Sequence, residues 1–173
     1  MAGSDKSDAA AGDVVQINKD VYFGPIHTHN VEQVRRLQDA VLQVRYKESF
    51  YEQVVGLSAK GLAKLAYFKD VMVGASCCRV DEREGKEGKF LYVMTLAVLP
   101  AYRGRGIGTE LINHLVKKAE ELGLAGVYLH VWTKNEEGLN LYKKLGFEVG
   151  EKIESYYKRM DPPDCFVLEK TLA

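Results

Sequence analysis

The sequence predicts one α/β domain, a mixed and mostly antiparallel central sheet flanked by helices, and three observations carry that expectation. Two apolar strand-like runs, Ala63 to Phe68 and Met72 to Val80, are split at Lys69 and Asp70, which is the spacing of a tight hairpin. The apolar run Phe90 to Val98 leads through RGRGIG, Arg103 to Gly108, into a stretch with helical period, so a strand feeds a glycine turn and then a helix. Beyond it strands and helical periods alternate, the pattern of a sheet with helices on both faces.

The elements follow in chain order. Met1 to Asp13 is Gly, Ala, Ser and Asp without an apolar period, the composition of a disordered tail, and folded structure is expected from Val14 onward. A strand is expected through Val15 to Phe23. A helix is expected from Val31 to Val41, capped at Asn30, because Val31, Val34, Leu37 and Val41 repeat at helical spacing. A second short helix follows Tyr46. After the hairpin, Asp81 to Lys89 is almost entirely charged residues and glycine, and reads as a solvated loop. The helix after the glycine turn runs from Gly106 to Leu122 and stops at Gly123, and a strand Val127 to Trp132 follows. Asn135 then caps a helix whose first turn holds Glu136 and Glu137, whose apolar face is Leu139, Tyr142 and Leu145, and whose stop is Gly146. Strands Phe147 to Ile153 and Phe166 to Leu172 complete the sheet.

Composition narrows the function. At 173 residues, 46% of them hydrophobic, the chain can bury one core but not two. Its formal net charge is zero, so no global field recruits nucleic acid or an anionic membrane, and Lys158 and Arg159 form only a local basic pair. No apolar run approaches the ~20 residues that span a bilayer, and no secretory leader pattern is visible. A cytosolic or nucleocytosolic chain is expected. Cys77, Cys78 and Cys165 lack metal-ligand spacing and read as reduced apolar fillers, while His27 and His29 read as surface histidines; no metal is expected.

The RGRGIG segment has the chemistry of an anion site. Glycines at alternate positions let successive backbone N–H groups point at one anion, and the loop enters a helix whose first turn carries unpaired N–H groups and about half a positive charge. Gly106, Ile107, Gly108 and Thr109 bring no carboxylate to offset that charge, and Arg103 and Arg105 add to it. A Walker loop is excluded because no GxxxxGK string exists, and a Rossmann fingerprint because Gly104, Gly106 and Gly108 give GxGxG. The fitting pattern is R-x-x-G-x-G. Roughly 25 residues on, N-E-E-G-L-N-L-Y-K-K-L-G-F, Asn135 to Phe147, forms the amphipathic helix described above.

With both motifs in place, the chain resembles the GNAT family of N-acetyltransferases, and the strings FLYVMTLAV, YLHVWTKN and ESYYKRMDP resemble its protein N-terminal branch from Val31 nearly to the C-terminus. The resemblance implies acetyl-CoA as cosubstrate. It places the pyrophosphate on Arg103, Gly104, Arg105, Gly106, Ile107, Gly108 and Thr109, pantetheine on the backbone of Leu96, Ala97 and Val98, and the thioester end beside Asn135 and Tyr142.

Acetyl transfer to an amine requires that amine to be neutral. An α-amino group has a pKa near 8 and lysine near 10.4, so freeing the former at neutral pH costs roughly 3 kcal/mol less, and a modest base suffices. Strand alternation puts Tyr92, Met94 and Leu96 on one face, and Tyr128, His130 and Trp132 on one face of the strand expected beside it. Those two strands flank the coenzyme in the family the chain resembles, so Tyr92 and His130 can face each other, and the resemblance implies that they deprotonate the peptide amine through ordered water. The resemblance implies a nascent-protein N-terminus as acceptor, Met followed by a hydrophobic residue, held by Tyr46, Met94, Tyr156 and Tyr157. Leu42, Gln43 and Val44 stand where the family has Phe-Pro-Val, which reshapes the first side-chain pocket. It also implies partnership with the ribosome-associated NatA complex. Two further readings stay open: a weakly active acetyl-CoA-binding accessory subunit of NatA, and a lysine acetyltransferase. The latter would want a stronger base, and nothing acidic occupies Phe90 to Val98.

Overall fold

The computed structural model describes residues 13–173. The tail expected over Met1 to Asp13 therefore lies, except for its last residue, outside the described residues. Eight strands form one sheet: β1 (Val15–Gln16), β2 (Val21–Gly24), β3 (Ala63–Phe68), β4 (Val71–Glu82), β5 (Lys89–Val98), β6 (Gly126–Trp132), β7 (Glu148–Ile153) and β8 (Cys165–Thr171). Four helices flank it: α1 (Val31–Val41), α2 (Glu48–Ala59), α3 (Ile107–Glu121) and α4 (Glu136–Lys144). The strand order is β1-β2-β3-β4-β5-β6-β8-β7, and β5–β6 alone is parallel.

Every residue of β4 from Val73 to Cys78 is buried. Because successive side chains on a strand point to opposite faces, both faces of the sheet must be covered here. Helices α1 and α2 supply Val34, Leu37, Phe50, Val54 and Leu57 to the main core, and α3 supplies Ile107 and Leu111 to a second core with Phe23, Ala66 and Val73.

The hairpin between β3 and β4 turns on Lys69 (φ 47°) and Asp70 (φ 66°), both left-handed, the conformation that a two-residue turn needs to match strand twist. Three expectations are corrected. The single strand over Val15 to Phe23 is two strands, because the Asn18 side chain accepts hydrogen bonds from the N–H groups of Asp20 and Val21, each at 2.9 Å, and turns the chain. The loop over Asp81 to Lys89 is shorter: β4 and β5 pair out to Glu82 with Lys89, charged residues being tolerated where the hairpin projects into solvent. Asn30 stands at the head of α1 but does not cap it; its Oδ1 accepts the N–H of His27 at 2.7 Å.

The sheet has one discontinuity that positions everything else. β5 and β6 pair only from Phe90 with Gly126 to Tyr92 with Tyr128, although both continue. At that point β5 carries a bulge, since Cys77 faces Thr95 and Cys78 faces Val93, leaving Met94 as the extra residue. A bulge bends and over-twists its strand, and here it turns β5 away from β6 while each keeps its other neighbour.

Candidate active site

Where β5 and β6 part, two clefts meet. One, of about 400 Å³, lies between the strands and is lined by Leu42, Gln43, Val44, Leu96, Arg103, Asn135 and Tyr142 among others. The other, of about 940 Å³, lies between the loop preceding α2 and the β7–β8 loop. Gln43, Val44, Tyr46, Val93, Met94, His130, Tyr157 and Met160 line both.

His130 sits at that junction, and Tyr92 lines the larger cleft beside it. The Tyr92 hydroxyl lies 3.1 Å from His130 Nδ1, so the facing pair expected from strand alternation is formed. Tyr156 makes a third member, its hydroxyl 3.4 Å from both Tyr92 Oη and His130 Nδ1 and its ring stacked on the imidazole with centroids 4.6 Å apart. Tyr128 stacks on the other ring at 4.8 Å, fixing Tyr92 from behind. Burial first, and then the Tyr156 hydroxyl, raises the Tyr92 pKa well above that of a free phenol, so this phenol stays protonated. Burial and the Arg83 cation lower the pKa of His130, with Glu151 opposing weakly, so the imidazole is neutral at physiological pH. A neutral imidazole beside a protonated phenol is a hydrogen-bonded relay able to accept one proton. Tyr46 is likewise held protonated, its pKa pushed up to about 12 by burial.

The β7–β8 loop is tied down so that Tyr156 and Tyr157 diverge, one exposed and one half-buried, with rings nearly perpendicular. Trp132 Nε1 donates to the Pro162 carbonyl at 2.7 Å, Tyr157 N to Pro163 O at 2.8 Å, and Ser155 N to Asp164 Oδ1 at 2.9 Å.

On the other side, Gly104 (φ 74°) and Gly106 (φ 79°) adopt the left-handed conformation, and a Cβ at either would meet nothing within 4 Å, so each faces open space. Gly106 is the residue before α3, which has no side-chain cap, leaving the first-turn N–H groups aimed outward. Two details differ from the sequence reading. Gly108 lies inside α3 without a left-handed φ, so only two of the three glycines are needed for backbone shape. A carboxylate does stand in the first turn, Glu110, one residue beyond the stretch read as acid-free. Thr109 follows in the helix, and Ile107 packs its side chain into the core, 2% exposed, so it can offer only its backbone outward. Arg103 donates from Nε to the Val98 carbonyl at 3.1 Å and lies 3.9 Å from Glu137, while the Arg105 guanidinium stacks 5.0 Å from the Phe68 ring. Asn135 caps α4 as expected, accepting the Gly138 N–H at 3.0 Å. Gly138 is what permits this, because a Cβ there would fall 2.6 Å from Asn135 Nδ2. Tyr142 is buried, as a core tyrosine on the face of α4. Ala97 and Val98 are buried on the stretch of β5 that has left β6.

Sequence reasoning missed the lining contributed by Val93, Met160, Arg45 and Lys47, and took Lys158 and Arg159 for an isolated surface pair. No local pattern marks such residues; they join the cleft through the fold. Among the described residues no group of three or more His, Cys, Asp or Glu side chains is placed to hold a metal ion.

A sheet split beside a glycine-headed helix, with a neutral histidine and a protonated tyrosine at the fork, suits a group-transfer enzyme with an anionic cosubstrate. The model of the acetyltransferase (GNAT) family matches residues 29–147, and the chain belongs to that family as an acetyl-CoA-dependent N-acetyltransferase. It is 44% identical over 153 residues to N-alpha-acetyltransferase 50 of Danio rerio, covering 88% of this chain and 89% of that one. It is 43% identical to the probable N-acetyltransferase san of Drosophila melanogaster, covering 88% and 81%. The solved structure of Arabidopsis thaliana Naa50 in complex with the bisubstrate analogue CoA-Ac-MVNAL matches with a TM-score of 0.80 at 36% identity, over 88% of this chain and 99% of that chain.

Proposed function

We propose that the protein acetylates the α-amino group of polypeptides that begin with Met followed by a hydrophobic residue, with Tyr92 and His130 as the general base. The observation that carries this is the position of the 3.1 Å Tyr92–His130 contact at the meeting of two clefts. Acetyl-CoA supplies an activated acetyl thioester. The open glycine loop, the uncapped start of α3 and the inter-strand cleft fit its anionic and extended parts, and Arg103 to Thr109, Leu96 to Val98, Asn135 and Tyr142 are the residues that would hold it.

The larger cleft takes the acceptor, with Tyr46, Met94 and Tyr157 around its first residues, and Tyr156 above His130. The amine loses its proton to the Tyr92 oxygen through a water molecule as Tyr92 passes its own proton to His130 Nδ1. One proton moves in, one moves on, and the phenol never has to ionise. Such assistance is typically worth 10² to 10⁴ in rate. An α-amine suits this base better than lysine, whose proton is held more tightly. The relatives named N-alpha-acetyltransferases, and the Met-Val start of the analogue bound by the Arabidopsis protein, support the same acceptor. We place its work in the cytoplasm or nucleus, in association with NatA at the ribosome, as a NatE-type activity.

The test is mass spectrometry on an equimolar mixture of peptides starting Met-Leu, Met-Lys, Ser and Glu, with an N-blocked peptide carrying lysine, incubated with protein and acetyl-CoA. Acetylation chiefly of the Met-started peptides is expected. Labelling of lysine alone would move the protein to another acceptor class, and acetyl-CoA binding without product would make it an accessory subunit.

A further inference from the structure

The acceptor cleft has a one-sided charge. Its lining includes Arg45, Lys47, Arg79, Lys158 and Arg159 and not one Asp or Glu, in a protein whose positive and negative charges balance at 24 each. The cations stand on three separate pieces of chain. Arg45 and Lys47 flank the inward-facing Tyr46 before α2, and both are exposed; Lys158 and Arg159 follow Tyr157 on the opposite wall, also exposed. Arg79 is paired in register with Tyr92 and places its guanidinium 5.2 Å from that ring. Arg79 is partly neutralised by Asp81 at 3.0 Å, but the other four form no ion pair among the described residues. Some cations elsewhere on the surface are partnered, as Arg35 is with Glu32 and Glu48, and Arg83 and Lys86 with Glu169.

We propose that this rim selects acceptors carrying acidic side chains from the third residue onward and rejects those carrying basic ones. The inference rests on the acceptor reading above. An extended chain advances about 3.3 to 3.6 Å per residue, so the first two residues occupy the junction around Tyr46, Met94 and Tyr157 and the following ones run out between the two basic walls. Several like charges with low-dielectric walls focus a field along the cleft, which raises the local concentration of an oppositely charged ligand and depends on salt. The same field disfavours the ammonium form of the incoming amine and so favours the neutral nucleophile. Charge on the acceptor acts before the chemical step, so the effect falls on KM and not on kcat.

The experiment is steady-state kinetics on three peptides of common Met-Leu start whose third to sixth residues are acidic, neutral or basic, at low and high salt, with the wild type and with the Arg45→Gln/Lys47→Gln and Lys158→Gln/Arg159→Gln double variants. Acidic over basic is expected by about tenfold or more in kcat/KM at low salt, carried by KM, shrinking at high salt and in each double variant. Equal kcat/KM for the three peptides would overturn the inference while leaving the acceptor reading intact. A preference that survives both salt and the double variants would also overturn it, since the rim would not be its source. Product from none of the peptides would remove the acceptor reading and this inference with it.

Discussion

β5 and β6 behave as two different structures along one strand pair. From Phe90 to Tyr92 they are hydrogen-bonded and so close that a Cβ on Gly126 would lie 2.8 Å from the Phe90 ring, and it would also lie 2.7 Å from the Lys170 carbonyl of β8. From Val93 to Val98 and from Leu129 to Trp132 they part around the bulge at Met94 and line a cleft. The closed half spends its backbone groups on the sheet. The open half leaves that edge available to a ligand, on strands held rigid by β4 and β8. On the function proposed above, activity and stability are separated by a few residues, and substitutions on either side of the fork are expected to have distinct signatures.

The largest expected effect is at the fork itself. Tyr92→Phe and His130→Ala are each expected to lower kcat at least tenfold, toward the ~10² to 10⁴ typical of general-base loss, with acetyl-CoA binding measured by calorimetry retained. Unchanged kcat in both would remove the relay from the mechanism. In the closed half, Gly126→Ala is expected to cost about 1 to 3 kcal/mol of stability by overpacking, read as a lower denaturant midpoint, with kcat per folded molecule near wild type. A large kcat loss there would mean the two halves are coupled. Gly106→Ala forces a side chain into φ 79° at the head of α3, a strain of about 1 to 2 kcal/mol, and is expected to raise KM for acetyl-CoA more than it changes kcat.

The smallest effect is on pH dependence. The His130 pKa is depressed, so its working neutral form persists below the ordinary histidine value of 6.5, and the acid limb of kcat/KM should begin below that pH. The sign for stability is the same. Because the folded pKa lies below the unfolded one, the contribution of neutral His130 is complete above about 6.5 and is lost as pH falls toward the depressed folded value. Arg83→Gln, removing the second cause of the depression, should move the limb upward slightly; a limb already at or above 6.5 in the wild type would contradict the assigned base.

The same division runs through what the sequence made legible. The hairpin at Lys69 and Asp70, the helix after Gly106 and the Asn135 cap were readable because each is made of contiguous residues with local propensities. The Asn18 turn was not, because the Val15 to Phe23 run looks apolar enough to continue, and one side chain bonding to two backbone N–H groups breaks it. The outer rungs of the β4–β5 hairpin were hidden by their charge, since solvent on both faces removes the apolar alternation by which strands are recognised. The Tyr92–His130 pairing was anticipated from alternation together with the family resemblance, but Tyr156 as the third hydroxyl was not, because a loop residue has no period.

Taken alone, the sequence determined the parts: a single α/β domain, a glycine-headed helix suited to an anion, a capped helix after the last long strand, and a tyrosine and a histidine with the right facing. These follow from local rules, where backbone shape and side-chain period depend on neighbours in the chain. The tertiary structure decided their relation. Only when β8 inserts between β6 and β7, and the Met94 bulge turns β5 away, do two clefts meet at Tyr92 and His130 under Tyr156. That arrangement depends on contacts between residues 26 to 64 positions apart, and on loops whose cations face a common cleft. Such proximity is a property of packing, which no short stretch of sequence encodes by itself.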